Sequence, residues 1–208
     1  PLGEGMELLI QPSLGIDTTE FNLGDSWRFA VRQTYVILRS EFSWQISPAI
    51  RWNTGLDFIG GSFDVDFKLA YSPESLASSD PLTETDTWVS GLDIWGWSPD
   101  PWMDLQIRPF QNRDRLVLIP GIRLSTFIIG SSARLWGIDP RFQTRLQLTP
   151  STVFKGGTGI YQQPPIGSDI GFDQDNITVG YEHAWGSEVG LEQELGLALT
   201  ADITFFHK

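Results

Sequence analysis

The sequence predicts an all-β protein, an antiparallel transmembrane β-barrel segment of about nine strands with long outer loops and short periplasmic turns. Three observations lead to this prediction. Apolar and polar residues alternate with period two, and no stretch shows a convincing helical period. Several alternating runs are longer than the roughly 5 to 6 residues usual in globular sheets. The connections between these runs are alternately long and short along the chain.

The predicted strands follow one another with Gly, Pro, Asn and Asp between them. The first four are Met6–Asp17, Trp27–Ile46, Ile50–Ala70 and Trp102–Pro109. The others are Arg115–Thr126, the stretch around Phe142–Leu148, a returning strand that carries Lys155, His183–Leu195 and Ala198–Phe206. The alternation is clear around Phe142, where Phe142, Leu146 and Leu148 share one face, and Arg141, Gln143 and Arg145 share the other.

Two classes of connection alternate between these strands. The expected long connections are Thr18–Ser26, Tyr71–Pro101, Ile129–Gly137 and Gln162–Glu182. The expected short ones are Ser47–Ala49, Phe110–Asp114, Pro150–Ser151 and Leu195–Leu197. Transmembrane barrels have tight turns at their periplasmic end and longer loops outside, so this order favours a barrel.

A soluble antiparallel sandwich produces the same alternation, with one face in a core and one in water. Long strands, nine tryptophans and a charged fraction of 19%, against about 25% in average soluble domains, favour the barrel instead. The alternative stays open as a carbohydrate-binding sandwich that uses Trp88, Trp95 and Trp97 as a stacking platform. In a barrel, these tryptophans belong to an aromatic girdle or to a folded outer loop.

Composition argues against several function classes. The net charge of −12, without a Lys/Arg cluster, makes nucleic acid an unlikely partner. Because there is no cysteine, thiolate metal sites and cysteine nucleophiles are excluded. The two histidines, His183 and His207, give little support to a metal site or a catalytic triad. We therefore expect no enzymatic activity, no cofactor and no bound metal.

The stretch IDPRFQTRLQLTPSTVFKGGTGIYQQPP, Ile138 to Pro165, resembles the barrel of TonB-dependent outer-membrane receptors. In that family a strand with a Pro-Arg pair leads through a tight turn to a glycine-rich returning strand. Upstream, LVLIPGIRLSTF resembles another strand of the family. The matching residues are Pro140, Arg141, Lys155, Gly157, Gly159, Tyr161, Pro164 and Pro165, with Pro120, Gly121 and Arg123 upstream.

Downstream, DNITVGYEHAWGSEVGLE is similar to the family's next loop and strand. The positions Asn176, Val179, Glu182, Gly190 and Glu192 match the family spacing, and the ending LALTADITFFHK resembles the strand after it. The two prolines expected in that loop are replaced by Ile177 and Tyr181, so its usual turn geometry is not expected here.

The resemblance implies a barrel of about 22 strands around an N-terminal plug, with a TonB box through which energy reaches the receptor. Residues 1–208 would then be a single β-barrel segment of a longer receptor, without the plug domain or the TonB box. The implied function is TonB-dependent uptake of a siderophore, cobalamin, haem or glycan across the outer membrane. The implied partners are outer-membrane lipid, a TonB-type energy-transducing protein and the ligand. A small self-closing barrel that acts as a pore or adhesin, without transport, is the alternative.

The barrel interpretation assigns the polar strand face to the lumen. The expected lumen-facing residues are Arg123, Arg141, Arg145, Lys155, Tyr161, Glu188, Glu192 and Asp202. The expected ligand contacts in outer loops are Trp88, Trp95, Trp97, Asp173 and Asp175. Lipid would contact the opposite face, represented by Phe142, Leu146, Phe154, Ile160 and Ile203.

Overall fold

The computed structural model describes residues 3–23, 27–71, 86–110, 115–130, 133–164, 180–196 and 199–208. Its side chains are described except at 69–71, 86–90, 92, 94 and 133. These parts of the chain contain nine strands and no helix long and apolar enough to cross a membrane. The strands are β1 Met6–Leu23, β2 Trp27–Ser47, β3 Ile50–Tyr71, β4 Asp86–Ile107, β5 Leu116–Ile129, β6 Ala133–Thr149, β7 Thr152–Gln163, β8 Glu182–Gly196 and β9 Leu199–His207.

All nine strands form one antiparallel sheet in sequence order, so each strand pairs with the next one along the chain. This confirms the predicted fold class. A soluble sandwich requires two sheets whose apolar faces pack together, whereas Ile129 is the one hydrophobic residue that is buried in the described ranges. The sandwich interpretation is therefore wrong. The sheet order does not join β9 to β1, so the described strands do not close into a small barrel by themselves.

The connections lie at two ends of the sheet. At the turn end, β2–β3 and β6–β7 are joined by two-residue turns, Pro48-Ala49 and Pro150-Ser151. The ladder register shifts beside both turns. At the loop end, the connections 72–85 and 164–181 are long, as predicted. The long connections expected at Thr18–Ser26 and Ile129–Gly137 are wrong, because β1 continues to Leu23 and β6 begins at Ala133.

The ladder places every side chain on one of two faces, which we name after Arg123 on β5 and Phe142 on β6. Directly opposed residues share a face in an antiparallel pair, so the register extends this assignment from β1 to β9. Toward the turn end, the polar residues of the alternating pattern lie on the Arg123 face, and the apolar residues lie on the Phe142 face. The Phe142 face includes Leu8, Ile10, Leu14, Leu38, Leu56, Met103, Leu105, Leu146, Phe154, Leu191, Ile203 and Phe205.

This preference reverses toward the loop end of β1, β2 and β3. There the Phe142 face becomes charged and the Arg123 face becomes apolar. The charged residues are Glu20, Arg28, Arg32, Asp64, Asp66 and Lys68; the apolar ones are Phe21, Phe29, Val31, Phe63, Val65 and Phe67. Because β2 and β3 have 21 and 22 residues, they exceed the roughly 9 to 11 that cross a bilayer. On β1 the reversal hides the continuing strand from a simple alternation test, which explains the wrongly predicted loop at Thr18–Ser26.

Strand β4 also begins earlier than predicted and contains Pro99 and Pro101. Proline cannot donate to a strand ladder, and the β4–β5 ladder has a gap between the pairs Trp97–Ile128 and Trp102–Arg123. Side chains bridge this gap. The Ser98 hydroxyl donates to the Thr126 carbonyl oxygen at 2.5 Å, and the Thr126 N–H donates to Asp100 Oδ1 at 2.9 Å. The Thr126 hydroxyl also donates to the Pro99 carbonyl oxygen at 2.6 Å.

Glycine allows large side chains to lie flat on the Arg123 face. Tyr35 pairs with Gly15 on β1 and with Gly61 on β3. A Cβ at Gly15 would overlap the Tyr35 ring, and a Cβ at Gly61 would overlap the Thr34 carbonyl oxygen and lie 2.8 Å from Tyr35 Cα. Both sites therefore require glycine because of close approach by a neighbouring strand.

We expect Gly61→Ala to destabilise the sheet by about 1–3 kcal/mol, because the backbone of β2 would have to move to admit the methyl group. Gly96 is the matched control, since it pairs with Gly61 and a Cβ there has its nearest neighbour at 3.7 Å. Thermal unfolding of the purified protein in detergent would measure both effects. Equal unfolding temperatures for Gly61→Ala and Gly96→Ala would contradict this packing.

Candidate functional site

The Arg123 face carries a central ion-pair cluster that connects four strands, β2 to β5. The Arg123 guanidinium donates to Asp57 Oδ2 on β3 at 3.1 Å and to Asp100 Oδ2 on β4 at 2.9 Å. Arg39 on β2 lies 3.7 Å from the other Asp57 oxygen. Arg123 is 28% exposed and Asp100 14%, so solvent screens these pairs less than it screens pairs on a free surface.

A second cluster joins β6 to β9. Arg145 donates to Glu192 Oε1 at 2.9 Å, and Lys155 lies 3.5 Å from Glu192 Oε2. Lys155 also forms a close ion pair with Asp202. The structure thus brings together four of the predicted lumen-facing residues. A polar recess of about 240 Å³ lies beside them at the turn end, lined by Arg145, Gln147, Pro150, Ser151, Val153, Glu192 and Glu194.

A third cluster extends the polar wall to the first strand. Arg51 donates to Glu7 on β1 at 2.6 Å and to Asn53 on its own strand at 3.2 Å. The Asn53 amide donates in turn to Asp104 at 2.7 Å, and Ser43 donates to Asn53 at 2.8 Å. Charges and amides are therefore paired across neighbouring strands from β1 to β9.

Asp139 on β6 is an exception within this paired wall. It is 4% exposed, and its Oδ2 atom accepts a close hydrogen bond from Ser125, which is 7% exposed. Its Oδ1 atom is buried and has no hydrogen-bond partner in the part of the chain that the structure describes. Leaving a buried acceptor unpaired costs about 1–3 kcal/mol, and more for a charged group.

Tyr181 lies just before β8, outside the strands, and is half-buried. Burial, followed by the negative charges of Asp100 and Asp139, raises the pKa of Tyr181 to about 12. The phenol therefore stays protonated at neutral pH and is a hydrogen-bond donor in a negative field.

The remaining predicted lumen residues also lie on the Arg123 face. Arg141 pairs with Gly121 and Gly159, and its stem lies beside both glycines. It makes no ion pair with any described residue. Tyr161 lies beside Gly186, where a Cβ would come within 2.8 Å of its ring, and Glu188 lies beside Gly157.

The predicted ligand contacts in outer loops have other positions. Trp95 and Trp97 lie within β4, so their expected loop location is wrong. Trp88 also belongs to β4, but its side chain is not among those described; Asp173 and Asp175 lie outside the described residues. Trp95 and Trp97 stack on the Phe142 face with ring centroids 6.1 Å apart, and Phe58 lies 5.9 Å from Trp97.

Further tryptophans border the apolar part of the Phe142 face. Trp136 and Trp185 are exposed on the same face, toward the loop end. Trp44 and Trp52 oppose each other near the turn end, where Phe42 packs edge-on against Trp52. In the ladder, Trp97 pairs with Ile128 on β5, and Ile128 pairs with Arg134 on β6. Since Trp136 lies two residues nearer the turn end than Arg134, the aromatic row drifts along the strands as it does in tilted barrel strands.

Hydroxyl groups on the Phe142 face are hydrogen-bonded to the sheet. Thr54 donates to the Trp102 carbonyl oxygen at 2.8 Å, and Thr158 donates to the Gly186 carbonyl oxygen at 3.1 Å. The Trp185 indole N–H donates to Thr158 Oγ1 at 2.9 Å. These internal bonds satisfy polar atoms that lie among apolar neighbours.

The sequence prediction missed several residues of the polar wall: Arg39, Arg51, Asp57, Asp100 and Asp139. Alternation does place Asp57 on a polar face, but the ion pairs depend on cross-strand register. Asp100 was assigned to a loop because prolines flank it. No group of three or more His, Asp or Glu residues in the described ranges is arranged to hold a metal ion.

We expect Arg123→Gln to lower the free energy of unfolding by about 1–3 kcal/mol, because Asp57 and Asp100 then lose their shared cation. This loss of stability is moderate because Arg123 is partly exposed to solvent. Arg141→Gln is the control and should change stability by less than about 0.5 kcal/mol. Denaturant unfolding of the purified protein would compare the two variants. A larger loss for Arg141→Gln would contradict the proposed ion-pair cluster.

Comparison with solved structures identifies receptors with this strand arrangement. Pseudomonas aeruginosa FpvA bound to heterologous pyoverdines aligns with 99% of the chain, at a TM-score of 0.73 and 11% identity. The ferric citrate transporter FecA aligns with 99% at a TM-score of 0.66 and 17% identity, and the siderophore receptor PiuA from Acinetobacter baumannii with 96% at 0.54 and 12% identity.

The aligned region covers 31%, 32% and 40% of those three receptor chains, so this chain spans about a third of their length. No family model and no curated protein sequence matches the chain. At these identities the comparison establishes the fold. The resemblance found in the sequence is thereby confirmed at the level of structure: the chain has the fold of a β-barrel portion of TonB-dependent outer-membrane receptors.

Proposed function

We propose that the chain is the β-barrel portion of an outer-membrane receptor that imports a ferric chelate by TonB-dependent transport. The observation that carries this proposal is the division of one continuous sheet into two faces. One face is a wall of paired charges and amides from β1 to β9. The other is apolar between two rows of tryptophan and phenylalanine. A barrel wall with water inside and lipid outside requires this division.

The Phe142 face is proposed to contact lipid between the aromatic rows. Tryptophan rings are favoured at membrane interfaces because they have an apolar body and a polar N–H. On this basis we assign Trp95 and Trp97 to the interface and not to ligand contact. The charged residues of the same face beyond Trp95, such as Asp64 and Lys68, would lie in water outside the membrane.

The Arg123 face is proposed to line the lumen. Its ion pairs satisfy most of the charges that the wall presents to the interior, which keeps that interior polar. The predicted lumen residues Arg123, Arg141, Arg145, Lys155, Tyr161, Glu188, Glu192 and Asp202 belong to it. Coupling to TonB would require a plug domain outside residues 1–208. The pyoverdine–iron complex of FpvA, and the naming of FecA as a ferric citrate transporter, support a ferric chelate as the ligand class.

Energised uptake tests this function directly. Cells that express the full-length receptor would be given radioactive iron as a panel of ferric chelates under iron limitation. We expect one chelate to accumulate, and a protonophore to abolish its accumulation without changing surface binding. A cell that lacks the energy-transducing protein is the matched control.

Uptake that continues unchanged without a proton gradient would contradict transport by this mechanism and indicate a passive pore. Surface binding without accumulation in energised cells would indicate an adhesin. The receptor must also fractionate with the outer membrane and need detergent for extraction.

A further inference from the structure

The charge balance around Asp139 is incomplete. Arg123 lies directly opposite Asp139 in the β5–β6 ladder, but its guanidinium donates to Asp57 and Asp100 instead. Arg39 is also paired with Asp57. Buried charges in proteins are normally paired and hydrogen-bonded. Among the described residues, no cation is paired with Asp139.

The free oxygen of Asp139 points to the kind of group that is missing. Asp139 is 4% exposed, and Ser125 fixes the carboxylate through Oδ2. Oδ1 remains buried without a donor. A carboxylate oxygen in this state prefers a charge-assisted donor such as a guanidinium or ammonium N–H. The side chain belongs to the Arg123 face, so the donor would come from the lumen.

We propose that Asp139 is a binding site for a guanidinium or primary ammonium group of the imported ligand, with Ser125 fixing the carboxylate. The proposal rests on the proposed uptake function and narrows its ligand class to chelates that carry such a cation. The binding experiment does not depend on energised import. If Asp139 does not bind such a cation, the uptake experiment still tests the proposed function by itself.

The test measures thermal unfolding of the purified full-length receptor with methylguanidinium and with ethylammonium as probes. Tetramethylammonium is the control cation, because it has the charge but no N–H donor. At millimolar probe we expect the unfolding temperature to rise by about 2 °C or more relative to tetramethylammonium, through preferential binding to the folded state.

Asp139→Asn should abolish this rise, and Ser125→Ala should reduce it. Asp93→Asn, an exposed carboxylate on the opposite face, should leave it unchanged. Heat-modifiable gel mobility checks that each variant is folded. If Asp139→Asn proves unfolded, the Ser125→Ala variant becomes the test of the site. A rise in unfolding temperature as large as that of the wild type then overturns the proposal.

Three other results would overturn it. The first is an equal rise in the wild type and in Asp139→Asn. The second is an equal rise with tetramethylammonium, or no rise with either probe. The third is a rise that occurs only after Arg141→Gln, because Arg141 would then be the internal partner of Asp139.

Discussion

The hydrogen-bond ladder is the constraint on which the rest of this structure depends. Each strand pairs with its sequence neighbour, and the register determines which side chains share a face. A shift of one residue in any pair would move a row of arginines and aspartates to the apolar face. Side-chain hydrogen bonds support the ladder where its backbone hydrogen bonds are interrupted. At Pro99 and Pro101, where backbone donors are missing, the Ser98 and Thr126 hydroxyls donate to backbone carbonyl oxygens, and Asp100 accepts from the Thr126 N–H.

The residue types on the two faces change along the length of the strands. Between the aromatic rows, apolar residues lie on the Phe142 face and paired charges lie opposite. Beyond the rows, the preference reverses while the ladder continues. A strand can therefore keep its hydrogen bonds and still make the proposed passage from lipid into water, because only the side chains have to change. The ion pairs centred on Arg123, Arg145 and Arg51 keep the polar wall connected across the strands.

The sequence predicted the features that depend on local alternation. It placed the faces of β6 and β7 correctly and predicted nine antiparallel strands. It did not predict that β1 continues to Leu23 or that β4 begins at Asp86. In the first case the alternation changes phase, and in the second Gly and Pro resemble a loop. The partners of Arg123 also escaped prediction, because Asp57 and Asp100 are far away in sequence and meet only through register. The unpaired oxygen of Asp139 is visible only in three dimensions.

Site-directed spin labelling in lipid vesicles tests the central claim most directly. The chain has no cysteine, so labels can be placed singly in a receptor whose other cysteines, if any, are replaced. Labels at Phe142 and Asp64 share a face, and a label at Gln143 lies on the opposite face. We expect high collision rates with oxygen at Phe142, and high rates with a water-soluble nickel chelate at Gln143 and at Asp64. Equal access of the nickel chelate to Phe142 and Gln143 would contradict the division of the sheet into a lipid face and a lumen face.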